Sequence, residues 1–182
     1  MDGKELVSGA AYDVYMDIKK RTNGEIYFGV VGPVRTGKST FIKIFMELCV
    51  LPSMKDDNKR KRAQDELPQS SGGTTVMTVE PKFIPSEAAL ISPFEGINMK
   101  VRLVDCVGFM VEGANGHLDN GKERMVKTPW DTKEIAFSKA AEIGTKKVIN
   151  DHSTIGIVVT TDGSFTEIDR TNYVAAEKKT NK

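Results

Sequence analysis

Cysteine is scarce, with only Cys49 and Cys106 among 182 residues, and the two are far apart without metal-ligand spacing. A disulfide framework and a zinc site are therefore not what organises this chain. The simplest reading buries both thiols as small apolar core residues in a reducing compartment. Long hydrophobic runs are also missing. The longest, near residues 27–31 and 155–159, fall far short of the ~20 residues that a membrane-spanning helix needs. The opening MDGKELVSGAAYDVYMDIKKRT is charged throughout and lacks the apolar stretch of a secretory signal. No sign of charge dominates: 26 Lys and Arg face 25 Asp and Glu, a net charge of +1. No global field selects nucleic acid or an anionic membrane, and nucleic acid is not an expected partner. The only histidines are His117, read as an exposed loop residue, and His152, read as a capping or packing residue. No Ser/His/Asp or paired-carboxylate arrangement is visible.

Enough apolar matter is present for one ordinary domain, at 39% hydrophobic and 28% charged residues. Residues 12–21 read as a short amphipathic helix broken by Thr22, Asn23 and Gly24, which divides an N-terminal helical segment (1–24) from the main domain (25–182). EIYFGVV at 25–31 is nearly continuous apolar, as a parallel strand covered on both sides requires. From Ser39 onward Phe41, Ile42, Phe45, Leu48 and Cys49 recur at helical spacing, and Pro52 predicts a stop near Leu51. Residues 53–73 form a long polar connection, a length that suggests a switch or lid. Its KRKR run at 59–62 reads as the solvated face of a short helix. Strands are expected at 75–84 and 98–105, a hairpin-like pair at the sheet edge with Gly96 in the turn. Residues 110–130 read as a second long loop, 134–150 as a helix, 154–160 as a strand, and the end of the chain as a further helix. Strands alternating with helices predict an α/β fold with a doubly wound, mostly parallel sheet.

Gly32, Pro33, Val34, Arg35, Thr36, Gly37, Lys38 and Ser39 match G-x-x-x-x-G-K-[ST] at every fixed position. They follow an apolar strand and open an apolar-periodic helix, the context in which this pattern is a phosphate-binding P-loop. Glycine is needed where backbone N–H groups must close on phosphate oxygens. Lys38 supplies a charge to the β and γ phosphates, Ser39 a hydroxyl for Mg2+, and the helix N-terminus a partial positive charge. Arg35, Thr36 and the adjoining Thr40 belong to the same nucleotide-binding set. Asp105 and Gly108 form D-x-x-G at the end of a strand. The aspartate suits Mg2+, held directly or through water, and the glycine admits a backbone N–H to the γ-phosphate. A threonine should close the long connection over the nucleotide, with Thr74, Thr75 and Thr78 as the candidates. The residue after Gly108 is Phe109, which can neither donate to nor accept from an attacking water, so intrinsic hydrolysis should be slow unless another group, such as one from a second protomer, completes the site.

With these motifs, the chain resembles the N-terminal ATPase region of the stage IV sporulation protein A family of spore-coat morphogenetic proteins. The similar segments include GEIYFGVVGPVRTGKSTFIKIFMELCVLP, RAQDELPQS, MTVEPKFIP, VRLVDCVGF, TPWDTKEIAFSKAAEIGTKKVI and DHSTIGIVVTTDGS, most of residues 24–164. The resemblance implies a P-loop fold related to translation-factor-type GTPases, an activity that uses ATP with Mg2+, and coupling of hydrolysis to self-assembly. It makes Lys38 the Walker A lysine, Asp105 the Walker B aspartate and Thr78 the sensor threonine, with Val79 where family members can carry a second threonine. It implies a place in the mother-cell cytosol at the outer forespore membrane, in the basement layer of the coat. Its implied partners are further copies of itself, a small amphipathic membrane-anchoring coat protein and other coat proteins. The family is longer, so later strands, including the base-recognition strand, and C-terminal domains for peripheral membrane association are expected to be missing here. The choice of ATP over GTP accordingly rests on the resemblance. A GTP-dependent switch and a scaffold with a vestigial site stand as alternatives.

Overall fold

The computed structural model describes residues 20, 22–69, 79–94, 97–114, 116–164 and 168–180. In chain order the elements are β1 (Glu25–Val31), α1 (Lys38–Phe45), α2 (Asp57–Asp65), β2 (Lys82–Phe94), β3 (Ile97–Asp105), β4 (Leu118–Asp119), β5 (Lys122–Glu123), β6 (Met125–Thr128), β7 (Asp131–Ala136), α3 (Phe137–Asp151), β8 (Ile155–Val158) and α4 (Arg170–Thr180). The central sheet has the order β2-β3-β1-β8. β1 runs parallel to both neighbours, and β2 joins β3 antiparallel at the edge. Because side chains alternate across a strand, β1 feeds two cores. Val30 packs with Ile42 and Met46 of the α1 side, together with Ile84 and Leu103. Val31 packs with Val104, Cys106 and Val148 on the α3 side. Helices on both faces of a mostly parallel sheet are what the alternation of elements predicts.

The segments that differ from the expectations do so for physical reasons. The strand expected at 75–84 is displaced: β2 starts at Lys82 and runs to Phe94, and residues 75–78 lie outside those described. Ser, Glu, Ala and Pro in SEAALISPF are weak strand formers, so local propensity hides a strand that pairing with β3 enforces. The register shifts between Ile84 and Ala89 and between Ile91 and Phe94, and edge position and bulges accommodate prolines. The α-helical part of α1 ends at Phe45, and the helical path as a whole ends at Ser53, close to the expected stop near Leu51. It passes into a π turn at Met46–Val50 and a 3₁₀ turn at Leu51–Ser53, in whose first positions Pro52 needs no N–H partner.

The polar connection after Ser53 contains α2, capped by Asp56, whose carboxylate accepts from Asn58 N at 3.0 Å and Lys59 N at 3.1 Å. Only Ala63 of this helix is buried, and the KRKR run is a solvated face, with Lys59 paired to Glu87 and Arg60 to Asp57. Residues 110–130 are not one loop. β4 and β5 pair across Asn120 and Gly121, both at positive φ (49° and 75°), as a two-residue hairpin turn needs. β6 pairs with β7, and this pairing takes Glu134 and Ile135 into a strand, so α3 begins only at Phe137. The helix expected at 12–21 falls almost wholly outside the described residues, and the turn at Gly96 does so entirely. Cys106 is buried, but Cys49 is exposed, on the outer side of the π turn, so only one thiol serves the core. Among the described residues no helix is long and apolar enough to cross a membrane.

Candidate functional site

β1, an interior strand, delivers the chain to the C-terminal end of the parallel strands, where the β1–α1 loop turns through three positive φ values, at Gly32 (140°), Arg35 (59°) and Gly37 (89°). Gly37 is the N-cap of α1, and a Cβ there would meet nothing within 4 Å, so the left-handed backbone alone calls for glycine. Arg35 bears the same conformation with a side chain, a strain on the order of 1 kcal/mol that the surrounding contacts must hold. Those contacts are visible. Thr36 Oγ1 donates to Pro33 O at 3.0 Å, Val34 N donates to Phe109 O at 2.9 Å, and Phe109 N donates to Gly32 O at 3.3 Å. The D-x-x-G turn is thereby clamped to the β1–α1 loop. At Gly108 (φ 96°) a Cβ would lie 2.2 Å from Gly32 O and 2.6 Å from Lys38 Nζ, so glycine permits this close approach.

Lys38 is 5% exposed, and its Nζ donates to Pro33 O at 2.5 Å. Burial pushes its ammonium below the ordinary lysine value, with Cys106 and Asp105 pulling the other way. Ser39 Oγ donates to Asp105 Oδ2 at 2.7 Å. Burial pushes the Asp105 carboxyl above the usual range, opposed by the Ser39 hydrogen bond and the Lys38 charge. Its other oxygen, Oδ1, is buried with no hydrogen-bond partner among the described residues. An orphaned carboxylate oxygen beside a serine hydroxyl is the hard-oxygen donor set that suits Mg2+. Ser39 and Asp105 are the described residues that would hold it.

These groups share one cavity of about 360 Å³, lined by Arg35, Gly37, Lys38, Ser39, Thr40 and Asp105. The structure thus brings together the two halves of the expected site from residues far apart in sequence. Thr36 lies buried within the loop, behind the cavity wall. Thr74, Thr75 and Thr78 lie outside the described residues. Phe109 is turned away from the cavity, 1% exposed and packed with Val34, Val111, Ile168 and Tyr173.

Sequence reasoning missed Glu80 and Lys82, which also line the cavity. The register that sets Lys82 opposite Asp105 was the only signal for it, and that register needs the true start of β2. It also missed the anchoring of Val79, buried with Phe137, Ala140 and Ala141, beside Val107 of the D-x-x-G turn and Met110 just after it. His117 is half-buried, not exposed, and its Nδ1 is buried without a partner among the described residues. His152 caps α3 and meets the Phe83 ring edge-on at 5.6 Å, a packing role as expected.

Residues 10–182 match the family described as stage IV sporulation protein A, ATPase domain. The chain is 59% identical over 167 residues to stage IV sporulation protein A of Clostridioides difficile (strain 630), covering 92% of this chain and 34% of that protein. The proteins of the same name from Bacillus anthracis and Bacillus subtilis (strain 168) are 58% and 56% identical over the same coverage. The chain therefore spans about a third of the length of these relatives. No solved structure matches it. The family match takes in nearly the whole chain, and the chain belongs to the stage IV sporulation protein A ATPase-domain family.

Proposed function

We propose that this chain, as a member of the stage IV sporulation protein A ATPase-domain family, is the nucleotide-binding engine of a sporulation protein that hydrolyses ATP with Mg2+ and couples hydrolysis to self-assembly. One observation carries the nucleotide reading: Ser39 and Asp105 are hydrogen bonded at 2.7 Å and line the same cavity as Lys38. Mg2+, when bound, would neutralise charge developing between the β and γ phosphates. The chain's own groups do the rest. Gly37 and the first turn of α1 present N–H groups and a partial positive charge, and Lys38 adds a full one.

The burial of Phe109 supports slow intrinsic turnover, because nothing polar at that position can orient water. A group from a neighbouring protomer would then complete the site, which ties turnover to assembly. Relatedness to translation-factor GTPases, a basement layer on the forespore surface, an amphipathic anchoring partner and Thr78 as γ-phosphate sensor belong to the same proposal.

Competition binding of labelled ATP and GTP, with and without Mg2+, tests the reading on wild type and Lys38→Ala. ATP preference lost in the variant supports it. Preference for GTP moves the protein to a partner-binding switch, and no binding below millimolar nucleotide leaves a scaffold. Thr78→Ala should keep binding and lose turnover, while wild-type rate per protomer should rise with concentration. A rate independent of concentration rejects the shared site.

A further inference from the structure

Lys82 is the exposed first residue of edge strand β2, and the antiparallel register sets it directly opposite Asp105. Residues opposite one another in such a pair project from the same face of the sheet. For Asp105 that is the face toward Ser39 and the start of α1, and Lys82 duly lines the same cavity. The Lys82 ammonium has no salt-bridge partner among the described residues. The other basic groups of the cavity are Lys38, turned into the loop carbonyl of Pro33, and Arg35. Glu80 is the acidic group on the same wall as Lys82.

Position along the cavity gives this cation its meaning. In a P-loop the backbone N–H groups hold the α and β phosphates, and Asp105, with Ser39, would hold a metal that offsets the charge at the β and γ phosphates. The Asp105 end is therefore the γ end, and Lys82, opposite Asp105 in the strand register and lining the same cavity, belongs to that end. Glu80 on the same lining adds negative charge near a terminal phosphate, and Lys82, two residues along, is the cation placed to offset it beside Lys38. The residue after Gly108 supplies no polar group, since Phe109 is buried in its own cluster.

We infer that Lys82 is a second phosphate-contacting cation, placed to meet the terminal phosphate of a nucleoside triphosphate and to make the site prefer triphosphate to diphosphate. This rests on the nucleotide reading above and extends it to a residue outside both sequence motifs. A lysine suits a moving or transferring phosphate because its point charge imposes no planar geometry.

The test is the pair of dissociation constants for a non-hydrolysable ATP analogue and for ADP, both with Mg2+, in wild type, Lys82→Met, Lys82→Arg and Lys100→Met. Lys82→Met should weaken the triphosphate analogue about tenfold or more, the size of a lost charged hydrogen bond, and leave ADP within about twofold. Lys82→Arg should restore most of the preference. Lys100→Met, which removes an exposed charge early in β3, should change neither constant. Equal weakening of both ligands by Lys82→Met would make Lys82 a general counter-charge to Asp105 and overturn the inference, as would an unchanged preference. Wild type that binds neither nucleotide would instead remove the underlying nucleotide reading, and this shows before any variant is compared.

Discussion

Ser39 Oγ and Asp105 Oδ2 lie 2.7 Å apart, although 66 positions separate them in the chain. The bond joins the first turn of α1 to the end of β3 and leaves Asp105 Oδ1 buried without a partner among the described residues. Ser39→Ala and Asp105→Asn should therefore be coupled, since each removes one side of the same cation-ready pair. In a double-mutant cycle on Mg2+-dependent nucleotide affinity, the second substitution should cost much less than the first, with an interaction energy of about 1–3 kcal/mol. Additive losses would mean that the two act at separate places.

Lys38 should cost the nucleotide-free chain stability. Burial depresses its folded pKa, so the unfolded state binds more protons and stability rises with pH between the depressed value and the ordinary 10.5. Lys38→Met removes that penalty. The variant should melt a few degrees higher near neutral pH, about 2–4 °C per kcal/mol for a chain of this size, while losing nucleotide binding. The advantage should fade as pH approaches 10.5. A variant that melts lower would show that the Lys38 bond to Pro33 O outweighs the cost of burying the charge.

Asp105 carries the opposite titration. Its folded pKa is raised, above all by burial, so the folded state binds more protons and stability falls as pH climbs from 3.8 through the raised value. Asp105→Asn should flatten that part of the pH profile. It should stabilise the empty chain above the window and give no gain below it. Melting curves of both proteins across acid to neutral pH decide the matter, and parallel profiles would refute it.

Gly144 on α3 faces the chain that follows Thr78. A Cβ there would lie 2.7 Å from Val79 O and 3.6 Å from the Trp130 ring. Backbone cannot yield as a flexible side-chain end can, so Gly144→Ala should destabilise by about 1–3 kcal/mol through overpacking. Trp130 is the only tryptophan in the sequence, and its emission reports the same displacement. An unchanged melting point with unchanged emission would show that Val79 is not held against α3.

The nucleotide loop was legible in the sequence because its chemistry is local: two glycines, a lysine and a serine at fixed spacing between an apolar strand and an apolar-periodic helix. Asp105 and Gly108 were legible for the same reason, and so was the parallel core, since EIYFGVV is apolar on both faces. The hairpins in residues 110–130 went unread although Asn120 and Gly121 announce one of them, because strands of two residues have too little periodicity to register. What tertiary structure alone decided is everything that depends on register and burial. It starts β2 at Lys82 and so puts a cation across from Asp105, turns Phe109 into the Tyr173 cluster, exposes Cys49, and ties Val79 to α3. A pattern along the chain records which residue types lie near each other in sequence. Pairing across strands brings together residues whose proximity no local preference encodes, and only the folded sheet contains it.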